Sequence, residues 1–173
     1  MQKITLILGG TRSGKSAYGE MLALKNFSSP IYIFTAQAWD DEMKSRIKTH
    51  KKRREGKNWK DIEAPIELGT AIKNNAISNN CILVDCLTLW LTNILMAERD
   101  INGAINDLLQ TIKACPGELI LISSEVGLGI VPDNSMARRF RDLSGELHQK
   151  LAMGAENVLL MVAGIPMVVK GNP

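Results

Sequence analysis

The sequence contains none of the cysteine patterns that hold disulfide-rich domains or zinc sites together. Its three cysteines, Cys81, Cys86 and Cys115, form no C-x-x-C pair and are odd in number. Neither a disulfide framework nor a zinc site is therefore indicated. Thiols used in this way are typical of a reducing compartment, so we expect the protein to be cytoplasmic.

Long hydrophobic runs are also missing. No apolar stretch approaches the roughly 20 residues that a membrane-spanning helix requires, so an integral membrane protein is not expected. The first apolar run, residues 4–8, ends at Gly9 and is too short for a signal peptide. Internal repeats, linkers and low-complexity segments are absent as well, and we expect one catalytic domain over residues 1–173.

A strong excess of charge of one sign is lacking too. The 21 basic and 18 acidic residues leave a net charge of +3, which is too small to predict nucleic-acid binding by itself. Basic residues do cluster at 48–54. That cluster fits the solvated face of a helix, a patch for nucleic acid, or part of a phosphate site.

What the sequence does contain is an alternation of short apolar runs and helical patterns. Strands are predicted at 4–8, 31–35, 81–85, 119–123 and 158–163, with a short last one at 167–170. Helices are predicted at 16–25, 40–54, 65–72, 87–97, 105–112 and 135–153. Strands that alternate with helices predict an α/β fold with a mainly parallel sheet flanked by helices.

A phosphate-binding motif, G-x-x-x-x-G-K-[S/T], lies between the first predicted strand and the first predicted helix. Its residues are Gly9, Gly10, Thr11, Arg12, Ser13, Gly14, Lys15 and Ser16. Such a P-loop points successive backbone N–H groups at one anion, and the helix that follows adds its positive end. Lys15 should reach the β- and γ-phosphates of ATP or GTP, and the Ser16 hydroxyl should ligate Mg²⁺.

Two acidic residues follow predicted strands. Asp85 ends the strand at 81–85 and is expected to be a second Mg²⁺ ligand, although it would also fit a cap of the next helix. Glu125 follows the strand at 119–123, at the sheet edge where ligands bind in such folds. Glu125 is either a site residue or a solvated loop acid.

The predicted helix at 40–54 places a histidine among arginines. His50 and Arg54 share a face with two apolar residues, which should turn that face toward the protein. Arg46 lies four residues before His50 and neighbours it on the helix. An imidazole flanked by guanidinium groups suits a phosphate, with Arg46 and either Arg53 or Arg54 offsetting its charge. From the residues alone, the alternative that His50 is an ordinary surface histidine remains.

Further blocks accompany the P-loop nearly end to end. They are YIFTA at 32–36, DEM at 41–43, RI at 46–47 before His50, Trp59, Glu63, VDCLTLWL at 84–91, Asn93, EVGLGIVP at 125–132, AR at 137–138, FRD at 140–142, Gly145, AGIP at 163–166 and Lys170. With these blocks the sequence resembles the bifunctional adenosylcobinamide kinases and adenosylcobinamide-phosphate guanylyltransferases of cobalamin biosynthesis.

The resemblance implies two reactions. One phosphorylates the hydroxyl of the aminopropanol arm of adenosylcobinamide with ATP or GTP. The other transfers GMP from GTP to that phosphate, giving adenosylcobinamide-GDP and pyrophosphate. By the same resemblance His50 carries the GMP covalently, Thr35 and Glu63 join the nucleotide site, and the chain forms a homotrimer. It also implies a RecA-like sheet with a C-terminal antiparallel edge strand.

Two other functions are compatible with a P-loop. One is a kinase for another small alcohol or nucleoside, and the other is a nucleotide-dependent switch or RNA-binding module that uses the basic helix. The block at 125–132 argues against both, so no nucleic-acid partner is expected. The second histidine, His148, is interpreted as a polar helix residue without a catalytic role.

Overall fold

The computed structural model describes residues 3–173, apart from the side chains of residues 42 and 46. Strands and helices alternate along this part of the chain. In order they are β1 (Lys3–Gly9), α1 (Lys15–Asn26), β2 (Ile31–Phe34), α2 (Asp41–Arg54), β3 (Lys60–Glu63), α3 (Leu68–Asn75), β4 (Cys81–Asp85), α4 (Leu87–Met96), α5 (Ile101–Ala114), β5 (Glu118–Ile122), α6 (Ser135–Gly154), β6 (Asn157–Val162) and β7 (Ile165–Lys170).

The seven strands form one sheet in the order β3-β2-β4-β5-β1-β6-β7. All neighbouring pairs are parallel except β6 and β7, which are antiparallel. The expectation of a mainly parallel sheet with a C-terminal antiparallel edge strand is thus confirmed. The register places Asp85 beside Phe34 on one side and Ile122 on the other. The carboxyl ends of these strands therefore meet at one edge, where the P-loop follows β1.

The central strands are continuous apolar runs because helices cover both faces of the sheet. One face packs against helices α3 to α6, where Leu68, Leu87 and Leu91 are buried. The other face is covered by α1. Gly19 allows this helix to lie close to the sheet, since a Cβ atom there would come within 3.0 Å of Leu83. None of the helices in residues 3–173 is long and apolar enough to cross a membrane.

The sequence reading missed β3. Its four residues, KDIE, contain one apolar side chain, Ile62, and β3 pairs with β2 alone as an edge strand. A short edge strand buries little surface, so its sequence lacks the apolar run by which the inner strands were recognised. Asp61 on this strand nevertheless anchors the helix that carries His50, through an ion pair with Arg54 at 2.7 Å.

The helix predicted to begin at Pro65 begins at Leu68 instead. Buried polar groups hold the preceding segment in an irregular conformation. The Trp90 indole donates a hydrogen bond to the carbonyl of Ile66 at 2.9 Å, and the Asn93 amide donates to that of Pro65 at 2.9 Å. These long-range bonds outweigh the local preference of proline for the first turn of a helix.

Candidate active site

A cavity of about 630 Å³ opens at the carboxyl edge of the sheet, between the P-loop, the end of β4 and the inner face of α2. Its size lies in the range typical of small-molecule sites. The residues predicted from the sequence that line it are Thr11, Arg12, Ser13, Gly14, Lys15, Ser16, His50, Arg53, Arg54 and Asp85. Residues far apart in the chain are thus brought together around one space.

The P-loop has the backbone geometry that its glycines predict. Gly14 has φ of 96°, and a Cβ atom there would lie 3.1 Å from the backbone of Gly164. The Lys15 ammonium donates to the carbonyls of Gly9 at 2.9 Å and Gly10 at 2.6 Å. The lysine is therefore held beside the loop, at the start of α1, where a bound phosphate would meet it.

Asp85 lies at the centre of the polar contacts in the cavity. Tyr32 donates its hydroxyl hydrogen to Asp85 Oδ2 at 2.5 Å, and Nδ1 of His50 lies 3.5 Å from the same oxygen. Burial by itself would raise the pKa of Asp85. Hydrogen bonds from His50, Ser16 and Tyr32 outweigh burial, so the pKa lies below its ordinary value and the carboxylate is charged at neutral pH.

His50 reaches the cavity from the third turn of α2, a helix capped at its start by the Asp40 side chain, which accepts from the backbone N–H of Met43 at 2.7 Å. The imidazole is one-third exposed, and its Nδ1 lies 3.3 Å from the Tyr32 hydroxyl. Among the described residues, no hydrogen bond engages the other ring nitrogen, Nε2. The inward orientation predicted for His50 is confirmed.

The two arginines at the end of α2 are engaged by carboxylates. Arg53 makes a bidentate pair with the buried Glu20 of α1, with both distances at 2.7 Å. Arg54 pairs with Asp61 at 2.7 and 3.1 Å, and it is buried. These pairs fasten α2 to α1 and β3. Both arginines also line the cavity, and their contact with a nucleotide phosphate stays a prediction.

Two other predicted residues, Thr35 and Glu63, stand apart from the cavity. Thr35 is fully buried, and its hydroxyl donates to the Cys86 carbonyl at 2.7 Å and accepts from the Cys86 N–H at 3.0 Å. Thr35 therefore supports the turn after Asp85 from behind, where the sequence had suggested a nucleotide contact. Glu63 is exposed at the end of β3 and does not line the cavity. The Arg46 side chain lies outside the described residues.

A second polar network, which the sequence reading missed, begins at the end of β5. Thr88 and Ser123 share a hydrogen bond at 3.0 Å, and the Ser124 N–H donates to the Thr88 hydroxyl at 2.6 Å. His148, buried on α6, places Nε2 2.7 Å from the Ser123 hydroxyl. Thr88 and Ser124 line the cavity, so His148 supports its wall. The available signal was the pair of serines, Ser123 and Ser124, directly after the buried strand β5.

Glu125 lies beside the P-loop. Its backbone N–H donates to the carbonyl of Gly9 at 2.9 Å. Its carboxylate accepts from the N–H groups of Gly127 and Leu128, the second at 3.0 Å. Glu125 therefore fixes the turn that leads the 125–132 block away from the phosphate loop. Its carboxylate has a structural role in that turn.

The burial of His148 predicts a loss of stability in acid. Burial lowers the pKa of His148, and the nearby Glu125 charge opposes this effect in part. The unfolded chain, with an ordinary histidine pKa of about 6.5, therefore binds a proton before the folded protein does. Stability should be full above about pH 6.5 and fall as the pH drops through the lowered pKa.

Urea unfolding of the wild type and of His148→Asn between pH 7.5 and 5 tests this expectation. The wild type should lose more stability over that interval than the variant, which has no titrating group at this position. Equal losses would assign the acid sensitivity to other groups.

Comparison with known proteins finds the same family that the sequence motifs resemble. The family model for cobinamide kinase / cobinamide phosphate guanyltransferase matches residues 5–169. The bifunctional adenosylcobalamin biosynthesis protein CobP of Pseudomonas aeruginosa is 45% identical over 170 residues, which span 97% of this chain and 98% of that protein. The bifunctional adenosylcobalamin biosynthesis protein CobU of Salmonella typhimurium is 38% identical over 180 residues, spanning 95% of this chain and 98% of that protein.

Among solved structures, the RadB recombinase matches with a TM-score of 0.54 and 14% identity, covering 91% of this chain and 73% of that one. A Pyrococcus horikoshii protein matches with a TM-score of 0.57 and 10% identity, covering 99% and 87%. At such identities the likeness concerns the fold alone. The match to a recombinase confirms the RecA-like P-loop architecture.

Proposed function

This chain belongs to the cobinamide kinase and cobinamide phosphate guanyltransferase family, and we propose that its P-loop cavity serves both reactions in turn. The observation that carries this proposal is that Lys15, Asp85 and His50 line the same cavity. A phosphate-binding lysine, a charged carboxylate and a histidine with one unengaged ring nitrogen are the groups that the two transfers require.

In the kinase step, the substrate hydroxyl attacks the γ-phosphorus of ATP or GTP, the nucleoside diphosphate leaves, and the hydroxyl hydrogen is released to water. The P-loop contributes position and charge. Lys15 offsets the negative charge that moves onto the β–γ bridging oxygen as that bond breaks. Thr88 and Ser124 supply further polar groups in the cavity wall. The substrate in this family is adenosylcobinamide, which carries its hydroxyl on a flexible aminopropanol arm.

The residues present fit a Mg²⁺ ion. Ser16 and Asp85 both line the cavity, and the Ser16 side chain helps to lower the pKa of Asp85, so two oxygen ligands lie close together next to the phosphate loop. Among the side chains that the structure describes, no group of three or more His, Cys, Asp or Glu residues could hold a metal ion. This suits an ion that takes most of its ligands from phosphates and water. Bound there, Mg²⁺ would neutralise charge on the phosphates and on departing pyrophosphate.

In the guanylyl transfer, we propose that His50 is the nucleophile. Its ring nitrogen attacks the α-phosphorus of GTP, a P–N bond forms, and the bond to the bridging oxygen breaks as pyrophosphate leaves. The phosphate of adenosylcobinamide phosphate then attacks the same phosphorus and displaces the histidine. The two steps avoid a direct displacement between two highly charged phosphates.

The direct test of this function is a two-stage assay with purified protein. ATP and adenosylcobinamide should give the phosphorylated corrinoid, and GTP should then convert it to adenosylcobinamide-GDP. Labelled GTP alone should leave label covalently attached to the protein. A kinase for another small alcohol would give no such adduct, and an RNA-binding switch would show no transfer to cobinamide.

Replacement of Asp85 by asparagine should separate its proposed role as a metal ligand from its contacts with Tyr32 and His50. The amide removes the charge that a metal ion requires, so kinase activity should fall and be restored in part at high Mg²⁺. Labelling by GTP should recover less, because Asp85 also contacts Tyr32 and His50. Kinase and labelling rates measured from 0.5 to 50 mM Mg²⁺ check this. A kinase defect that is the same at every concentration would contradict the metal role.

We also propose that the protein is a cytoplasmic homotrimer. Support comes from β7, where the apolar side chains of Ile165, Met167, Val168 and Val169 are exposed on an edge strand. Unpaired apolar edges of this kind are usually covered by another chain. Sedimentation of the protein at micromolar concentration tests the assembly, and a monomer would remove the proposal.

A further inference from the structure

The structure assigns a further role to Tyr32: we infer that its hydroxyl fixes the hydrogen of the His50 ring on Nδ1 and thereby leaves Nε2 as the nitrogen that attacks GTP. Tyr32 is on this view a positioning residue that acts through His50. The inference rests on the proposed function of His50 and adds which ring atom reacts and what selects it.

The geometry around the Tyr32 hydroxyl carries the inference. Its oxygen lies 2.5 Å from Asp85 Oδ2 and 3.3 Å from His50 Nδ1, so it bridges the two groups. The 2.5 Å separation is the short distance of a hydroxyl that donates to a carboxylate.

The number of available hydrogens then determines which ring nitrogen of His50 is protonated. A tyrosine hydroxyl has a single hydrogen, and Tyr32 gives it to Asp85, which as a carboxylate can only accept. The Tyr32 oxygen can therefore only accept from His50, so the neutral imidazole must carry its hydrogen on Nδ1. The tautomer of a histidine is set in this way by the hydrogen bond of the nitrogen that does not react. The Nε2 lone pair is left available.

Tyr32 is firmly placed for this task. The side chain is 1% exposed, the Arg54 guanidinium lies 3.5 Å above the centre of its ring, and the Trp59 ring meets it edge-on at 5.7 Å. Arg54 is in turn held by Asp61.

The contacts of Tyr32 and Asp85 with Nδ1 also stabilise the His50 ring during the transfer. When the Nε2 lone pair forms the P–N bond, the electrons of the broken P–O bond leave with pyrophosphate and the ring becomes positively charged. The hydrogen stays on Nδ1, which lies 3.3 Å from the Tyr32 oxygen and 3.5 Å from Asp85 Oδ2. A fixed negative charge beside the ring stabilises that positive charge, as the aspartate does in serine hydrolases.

The tautomer can be measured without any turnover. Long-range ¹H–¹⁵N correlation spectra of the neutral His50 ring should show the Nδ1–H form in the wild type. Tyr32→Phe removes only the hydroxyl and keeps the ring beneath Arg54, and it should shift His50 toward the Nε2–H form. Tyr18→Phe is the matched control, because Tyr18 packs on the same apolar cluster from α1 and should leave the spectrum unchanged.

Single-turnover labelling supplies the second readout. At saturating GTP, Tyr32→Phe should form the guanylyl adduct about 10- to 100-fold more slowly, the usual effect of losing the partner that orients a histidine. An Nε2–H ring in the wild type, or a variant that labels at the wild-type rate, would overturn the inference while leaving His50 as the nucleophile. Label that maps to a residue other than His50 would instead overturn the proposed function.

Discussion

Replacement of Lys15 by alanine is expected to lower the rates of both the kinase reaction and guanylyl transfer by about 100-fold or more. Loss of one charge that stabilises a transition state typically costs about 10²-fold in rate, or about 2.7 kcal/mol. Lys15 is the ammonium group that the P-loop places at the head of α1, and it is held within 3 Å of the loop carbonyls. A shared phosphate site requires both activities to fall together.

The measurement compares the two rates at saturating nucleotide, with the thermal midpoint of unfolding as a check on the fold. Lys25→Ala is a suitable control, because this lysine lies on the last turn of the same helix and is exposed. A folded Lys15→Ala protein that turns over near the normal rate in either reaction would contradict the shared site.

Local signals in the sequence predicted most of the fold and the phosphate half of the site. The P-loop is a short contiguous motif whose backbone shape follows from its glycines, and the strand that ends at Asp85 is a pure apolar run. Each of these elements is specified by neighbouring residues, so reading along the chain suffices to find them. The edge strand β3 was missed because an edge strand needs no apolar run.

The histidine half of the site depends on distant pairs, which the sequence does not display. Tyr32 meets Asp85 across 53 positions and His50 across 18, and Arg53 meets Glu20 across 33. The arginines were expected at a phosphate because charge and helical spacing were all that the sequence offered. The strand order β3-β2-β4 brings α2 over the carboxyl edge of the sheet, where these arginines pair with Glu20 and Asp61. Their contact with a nucleotide phosphate stays a prediction.

Replacement of His50 by alanine should reduce covalent labelling by GTP and guanylyl transfer to background, while the kinase step largely survives. The kinase reaction passes a phosphoryl group directly between substrates and needs no protein nucleophile. Guanylyl transfer through an adduct has no route when the nucleophile is gone. A P–N bond to histidine is a phosphoramidate, so the wild-type adduct should be lost in acid and stable in alkali.

Peptide mapping of protein labelled with [α-³²P]GTP locates the adduct, and Lys48→Ala, an exposed change on the same helix, controls for the fold of α2. His148 is unsuitable as a control, because it bonds Ser123 behind the cavity wall. Labelled lysine between residues 44 and 52, or wild-type labelling of His50→Ala, would disprove the nucleophile. Loss of both activities in a folded His50→Ala protein would instead mean that His50 serves the cavity as a whole, since only a covalent role separates the two reactions.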